Sequence, residues 1–191
     1  MSRSAILPAL AIVLILSGCD READPAPQES AVQTDTGKEA RPGEIDRSHA
    51  GDLMPAANMV DPDGAVLNLG ALQGRPVLMN LWATWCAPCV KEMPQLDRLH
   101  KILAPDGIAV LTISEDRAGA ALVEKFYRIN ELGNLDILID RNGKVLRGSK
   151  VRGLPTTLLI DAKGREIGRV QGISEWDSGD VVAFLRRCLK P

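Results

Sequence analysis

Apolar positions along the chain change their period several times, and each change marks an element. Val77-Leu78-Met79-Asn80-Leu81-Trp82, within residues 76–82, is a nearly continuous apolar run that suits a strand buried on both faces. Over residues 88–103 the period lengthens, with Val90, Met93, Leu96, Leu99 and Leu103 recurring at helical spacing. A second buried strand is predicted over 108–113 and a second helix over 118–130, closed near Gly133. A short extended piece at 135–139 precedes an Asn142-Gly143 turn. Thr156–Ile160 and 166–170 flank Asp161-Ala162-Lys163-Gly164 as a hairpin, and a helix over 176–189 follows. Upstream, Asp61-Pro62-Asp63-Gly64 joins Asn58–Val60 to 65–68, and 70–73 forms one helical turn. Strands alternating with helices, then a hairpin and a helix, predict an α/β fold. Its central mixed sheet is flanked by helices and carries an N-terminal β-hairpin extension.

The first fifty residues lack this patterning. Arg3 precedes an apolar stretch from Ala5 to Leu16 that is too short to span a bilayer, which needs about 20 residues, and suits an export signal. Ser17-Gly18-Cys19 follows and resembles the lipobox of bacterial lipoproteins. That resemblance implies a signal peptide over 1–18 and lipidation of Cys19, with Asp20 resembling the signal for retention in the inner membrane. Residues 19–50 are acidic, proline-containing and aperiodic, and read as a flexible tether reaching about 30 Å. His49 reads as a solvated residue of that tether. The folded domain is expected over 51–191, on the periplasmic face of the inner membrane.

Charge and composition narrow the partners. A formal net charge of −2, with three Trp, one Tyr and two Phe, offers neither a basic field nor a stacking surface for nucleic acid.

The chemistry concentrates at Trp85-Cys86-Ala87-Pro88-Cys89, between the first strand and the first helix. Two cysteines spaced this way alternate between dithiol and disulfide without rearranging a fold. If Ala87 opens the helix, Cys86 sits where unpaired amides and the helix dipole favour a thiolate, exposed and nucleophilic. Cys89, one turn deeper, resolves the mixed disulfide. Trp82 and Trp85 are expected to form an apolar rim over the buried thiol, with core packing the alternative for Trp82. Cys188, on the apolar face of the last helix, reads as an inert thiol, and His100 as a boundary residue. Zinc would need a second ligand pair, which the chain lacks. A copper-binding module stays open as a non-enzymatic alternative. A peroxidase would need threonine three residues before its cysteine, whereas Thr84 lies two before Cys86. No cofactor is implied.

Residues 80–89, Asn-Leu-Trp-Ala-Thr-Trp-Cys-Ala-Pro-Cys, followed by Glu92-Met93-Pro94, resemble the TlpA/ResA-like, DsbE/CcmG-related branch of the thioredoxin superfamily. So does Gly153-Leu154-Pro155-Thr156-Thr157 ahead of the hairpin. The resemblance implies a thioredoxin-like fold and a thiol–disulfide oxidoreductase. It makes Pro155 a cis-proline against the dithiol, leaves the Leu154 backbone to pair with substrate, and makes Glu92 the acceptor of the Cys89 proton. Asn80 departs from thioredoxins proper, which carry aspartate there. Ala87-Pro88 keeps proline before the second cysteine and lacks the histidine of strong oxidants. A reductase is therefore favoured over an oxidase or isomerase. Expected partners are disulfide-containing substrate proteins, such as apocytochrome c or a copper-site assembly protein, and a membrane electron donor of the DsbD/CcdA type.

Overall fold

The computed structural model describes residues 43–190, so Cys19, the expected signal peptide and most of the expected tether lie outside the described residues. Within them, eight strands form one mixed sheet. They are β1 (Ile45–Asp46), β2 (Asn58–Val60), β3 (Val66–Asn68), β4 (Val77–Trp82), β5 (Ala109–Ser114), β6 (Leu138–Ile139), β7 (Thr156–Ile160) and β8 (Glu166–Gln171), in the spatial order β1-β8-β7-β4-β5-β6-β2-β3. β4 runs parallel to β5 and antiparallel to β7, which puts the most apolar strand near the centre of the sheet.

Strand parity divides the core in two. Leu78 and Trp82 face one side, with α1 (Ala87–Leu103), α2 (Ala120–Ile129) and α4 (Gly179–Cys188) packed against them through Met93, Leu96, Leu99, Val123, Val182 and Leu185. Val77, Met79 and Leu81 face the other, covered by Met59 of β2, Leu69 and Leu72 of the short 3-10 turn Leu69–Leu72, and Val145 of α3 (Lys144–Gly148). Every side chain of β4 and β5 is buried, as two covered faces require. No helix among the described residues is long and apolar enough to cross a membrane.

Four differences from the sequence expectations have local causes. The domain begins before residue 51, because Ile45 and Asp46 pair with Val170 and Arg169 as an edge strand. Two residues with one apolar side chain cannot show a period. The helix expected from Trp176 begins at Gly179, where the Ser178 side chain accepts the Val181 N–H, and Trp176 is used elsewhere. α3 follows the Asn142-Gly143 turn where none was foreseen. Asp140 accepts the N–H groups of Lys144, Val145 and Leu146 and so starts a five-residue helix. Trp82 is fully buried and packs against Phe126 and Tyr127, so it is a core residue and not part of a rim.

Gly168 of β8 tests the assignment of β1 to the domain. A Cβ there would lie 2.9 Å from Ile45 Cγ2 and 3.0 Å from the Asp46 carbonyl oxygen. Gly168→Ala should push β1 off the sheet, expose the amides of residues 45–46 to hydrogen exchange and cost about 1–3 kcal/mol of stability in urea unfolding. Unchanged exchange would leave β1 outside the cooperative unit.

Candidate active site

Cys86 is the residue on which β4's chain direction turns into α1. It keeps an extended backbone while Ala87 begins the helix, and its Sγ accepts the Cys89 N–H at 3.3 Å. The sulfur thus caps a helix N-terminus, where free amides and the dipole stabilise negative charge. Pro88 lies in the first turn, where it sacrifices no helical hydrogen bond. Cys86 and Cys89 are joined in a disulfide, S–S 2.00 Å, with their Cα atoms 5.2 Å apart. Cys86 is 6% exposed and Cys89 is fully enclosed. Cys86, the expected nucleophile, is therefore less open than its position suggested, although it remains the more accessible of the two sulfurs. The cause is packing of the first turn against the core that contains Trp82 and Met93.

The approach to the pair is rigid. Asp116, buried just after β5, accepts the Thr84 N–H (2.9 Å), the Thr84 hydroxyl (2.7 Å) and the Ser114 hydroxyl (2.8 Å). These bonds fix the chain two residues before Cys86. Trp85 then projects outward, 70% exposed, at the lip of an open groove of about 840 Å³. Cys86, Ala87, Pro88 and the Gly153-Leu154 segment line the same groove. The Leu154–Pro155 peptide bond is cis. The Thr156 hydroxyl donates to the Gly153 carbonyl at 2.7 Å, and the Pro155 carbonyl accepts the Gly172 N–H at 2.9 Å, so this loop is held from both sides. The structure thus gathers Cys86, Trp85 and Leu154 around one opening. Cys188 is a free, half-buried thiol packed at the edge of the core on α4, and His100 faces the Val110 carbonyl at 3.4 Å. Neither belongs to the groove.

Glu92 lies one turn beyond Cys89 on α1 and is buried, not partly exposed. Its Oε1 accepts the Asn80 Nδ2–H at 2.8 Å and its Oε2 accepts the Trp176 indole N–H at 2.8 Å, with a further bond from the Ser174 backbone. Asn80 also donates to Thr157 Oγ1 at 2.9 Å, while its own Oδ1 has no partner. Burial pushes the Glu92 carboxyl up to about 7, against those hydrogen bonds, which favour the charged form. The group is thus set to give and take a proton near neutrality. Trp176 and Thr157 were not singled out from the sequence. A buried indole N–H needs an acceptor, which is a signal that Trp176 has a polar partner but not which one.

A family model described as Redoxin matches residues 49–184. The chain belongs to the Redoxin family. Thiol-disulfide oxidoreductase ResA of Bacillus thuringiensis subsp. konkukian (strain 97-27) is 30% identical over 127 residues, which cover 66% of this chain and 72% of that protein. A Chlorobium tepidum structure described as a thiol:disulfide interchange protein of DsbE type superposes with a TM-score of 0.65 at 23% identity, covering 76% of this chain and 99% of that one. The exposed lipoprotein thioredoxin Etrx1 of Streptococcus pneumoniae strain TIGR4 does so with a TM-score of 0.60 at 26% identity, covering 70% and 98%. This Redoxin is a thioredoxin-like thiol–disulfide oxidoreductase of the ResA/DsbE kind, and its substrates are disulfide-containing proteins.

The Glu92 cradle makes stability depend on pH with a definite sign. The folded protein holds this proton up to about pH 7, whereas the unfolded chain releases it near 4.5. Stability should therefore be fully present below about 4.5 and fall as pH rises through that window. Glu92→Gln should make that decline shallower in urea unfolding, leaving the part that Glu115, also pushed up by burial, contributes; its amide sets an N–H group against the Asn80 or Trp176 donor, which lowers stability at every pH. Trp176→Phe, which removes a donor to the carboxylate, should move the Glu92 titration up by about one unit in carbon-13 NMR. A decline of equal slope in Glu92→Gln would assign the pH dependence to another group.

Proposed function

We propose that this Redoxin is a lipid-anchored reductase of protein disulfides, working outside the cytoplasm at the periplasmic face of the inner membrane. The observation that carries the reading is the Cys86–Cys89 pair at the mouth of α1, with Glu92 buried one turn below it. Several steps follow from that arrangement. The Cys86 thiolate, held by the helix amides, attacks one sulfur of a substrate disulfide; that S–S bond breaks and the leaving thiolate takes up a proton. Cys89 passes its proton to the Glu92 carboxylate, attacks the Cys86 sulfur of the mixed disulfide and releases the second substrate thiol. Two electrons pass from the dithiol to the substrate, and the protein is left with the Cys86–Cys89 disulfide. The groove beside Trp85 receives the substrate segment, with the Leu154 backbone at the cis-proline pairing with it in extended form.

The direction is supported by Ala87-Pro88, which lacks a histidine to stabilise the thiolate and so favours a reducing pair. A reductase outside the cytoplasm needs electrons, and a membrane carrier of the DsbD/CcdA type supplies them in this reading. Apocytochrome c or a copper-site assembly protein is the acceptor. Cys19 supports the anchor through its lipobox-like context, and Etrx1, described as an exposed lipoprotein, is a related protein of that kind.

Insulin reduction should vanish in Cys86→Ser, while Cys89→Ser should accumulate a mixed disulfide with its partners. Glu92→Gln should slow turnover at neutral pH by roughly a hundredfold. A Cys86→Ser protein with full activity rules the mechanism out, and a measured potential close to that of strong oxidants reverses its direction. In cells, palmitate should label the wild type and spare Cys19→Ala; equal labelling of both would remove the anchor from the reading.

A further inference from the structure

Asn80 is the one hydrophilic residue of β4 and lies between Leu78 and Trp82 on the face toward α1. It is fully buried, and across the sheet it stands opposite Thr157 of β7. Its Nδ2 donates to Glu92 Oε1 at 2.8 Å and to Thr157 Oγ1 at 2.9 Å. Its Oδ1 is enclosed and has no hydrogen-bond partner among the described residues. An amide bonded at both ends is fixed in one orientation. This one is held by its nitrogen alone, and no bond to the oxygen opposes a half-turn that exchanges the two atoms.

The partners of Glu92 make such a turn matter. Asn80, the Trp176 indole and the Ser174 backbone each offer it an N–H. Three donors suit a carboxylate. A carboxylic acid brings an O–H of its own, which needs an acceptor. The indole N–H and the backbone N–H cannot become acceptors, whereas a primary amide carries both kinds of atom. With the Asn80 amide turned, Oδ1 stands where Nδ2 was, within reach of Glu92 and of Thr157, whose hydroxyl donates as readily as it accepts. One end of the amide goes unpartnered in either orientation, so a cost of the same kind falls on both. The proton on Glu92 then tips the balance.

We propose that Asn80 is a positioning residue for the proton transfer: its side-chain amide turns over when Glu92 takes the Cys89 proton, so that Glu92 faces a complementary atom before and after. This rests on the reading of Glu92 as the acceptor of that proton. In the transfer the Cys89 S–H bond breaks and an O–H bond forms on Glu92, leaving a Cys89 thiolate and an uncharged acid. Asn80 withdraws its N–H and accepts the new O–H at Oδ1, while the Thr157 hydroxyl turns to donate to the same oxygen. Once the Cys86–Cys89 disulfide has closed, Glu92 loses the proton to water and the amide turns back.

The test follows the Asn80 side-chain NH2 by NMR in the nitrogen-15-labelled, full-length oxidised protein. Cys86 and Cys89 are then tied in their disulfide, so Glu92 titrates without a thiol proton beside it. Above about pH 7, cross-relaxation should join the Asn80 NH2 to the Thr157 hydroxyl; below it, those signals should be lost in step with the Glu92 carboxyl titration. Signals of equal strength on both sides show an amide that stays put, which overturns the role of Asn80 and leaves Glu92 as the acceptor. No variant is needed here, so a folding defect cannot obscure the result. A kinetic arm asks whether Asn80 acts through Glu92. Asn80→Leu, of similar volume, should slow release of the second substrate thiol about tenfold in single turnovers of the reduced protein. In a Glu92→Gln background the same change should slow it by less than about twofold. Equal slowing in both backgrounds marks a merely structural residue and overturns the proposal. Release of that thiol by Glu92→Gln at the wild-type rate overturns the reading of Glu92, and the role of Asn80 with it.

Discussion

The active site is organised around the burial of a single carboxyl under the dithiol. Glu92 has to be enclosed to sit one turn below Cys89, and an enclosed carboxylate is tolerable only where its oxygens are hydrogen-bonded. Those partners come from distant parts of the chain: Asn80 from the central strand, Trp176 and the Ser174 backbone from the segment before the last helix. Thr157, two residues past the cis-proline, joins through Asn80. Glu92, Cys89 and the cis-proline strand are therefore tied into one unit. Shifting β4 by a residue would turn Asn80 away from Glu92 and dismantle this unit, so strand register and chemistry are set together.

Much of this was legible in the sequence, for physical reasons that can be named. Central strands covered on both faces must be continuously apolar, so β4 and β5 announce themselves. A helix covered on one face repeats its apolar residues every three or four positions, so α1 does too. The dithiol was legible because few other functions need two cysteines at that spacing before a helix. What stayed hidden depends on pairing across the chain. β1 carries a single apolar residue and takes its identity from β8. Asp116 and Asp140 look like ordinary turn acids, and only the fold shows the first clamping Thr84 and the second starting a helix. Trp176 reads as the opening of a helix until Glu92 is found opposite its indole.

Family membership and local geometry answer different questions here. The Redoxin match and the ResA relatives establish the reaction class. They say less about which residues tune it. Asn80 stands where thioredoxins proper carry aspartate, and a second buried acid beside Glu92 would repel it. The amide instead donates to the carboxylate and leaves Glu92 as the acid of that enclosed cluster. Trp82, expected near the rim, is instead one of the largest side chains of the core, which leaves Trp85 alone of the two at the surface.

The unequal enclosure of the two sulfurs bears on how turnover is ordered. Cys89 is closed off and Cys86 is the sulfur that reaches the groove. Under the proposed mechanism, a protein delivering electrons and a protein withdrawing them form their transient covalent bonds with the same atom. They cannot occupy the domain together, and each visit has to finish before the next begins. Kinetically this is a ping-pong scheme, in which an excess of either partner obstructs the other.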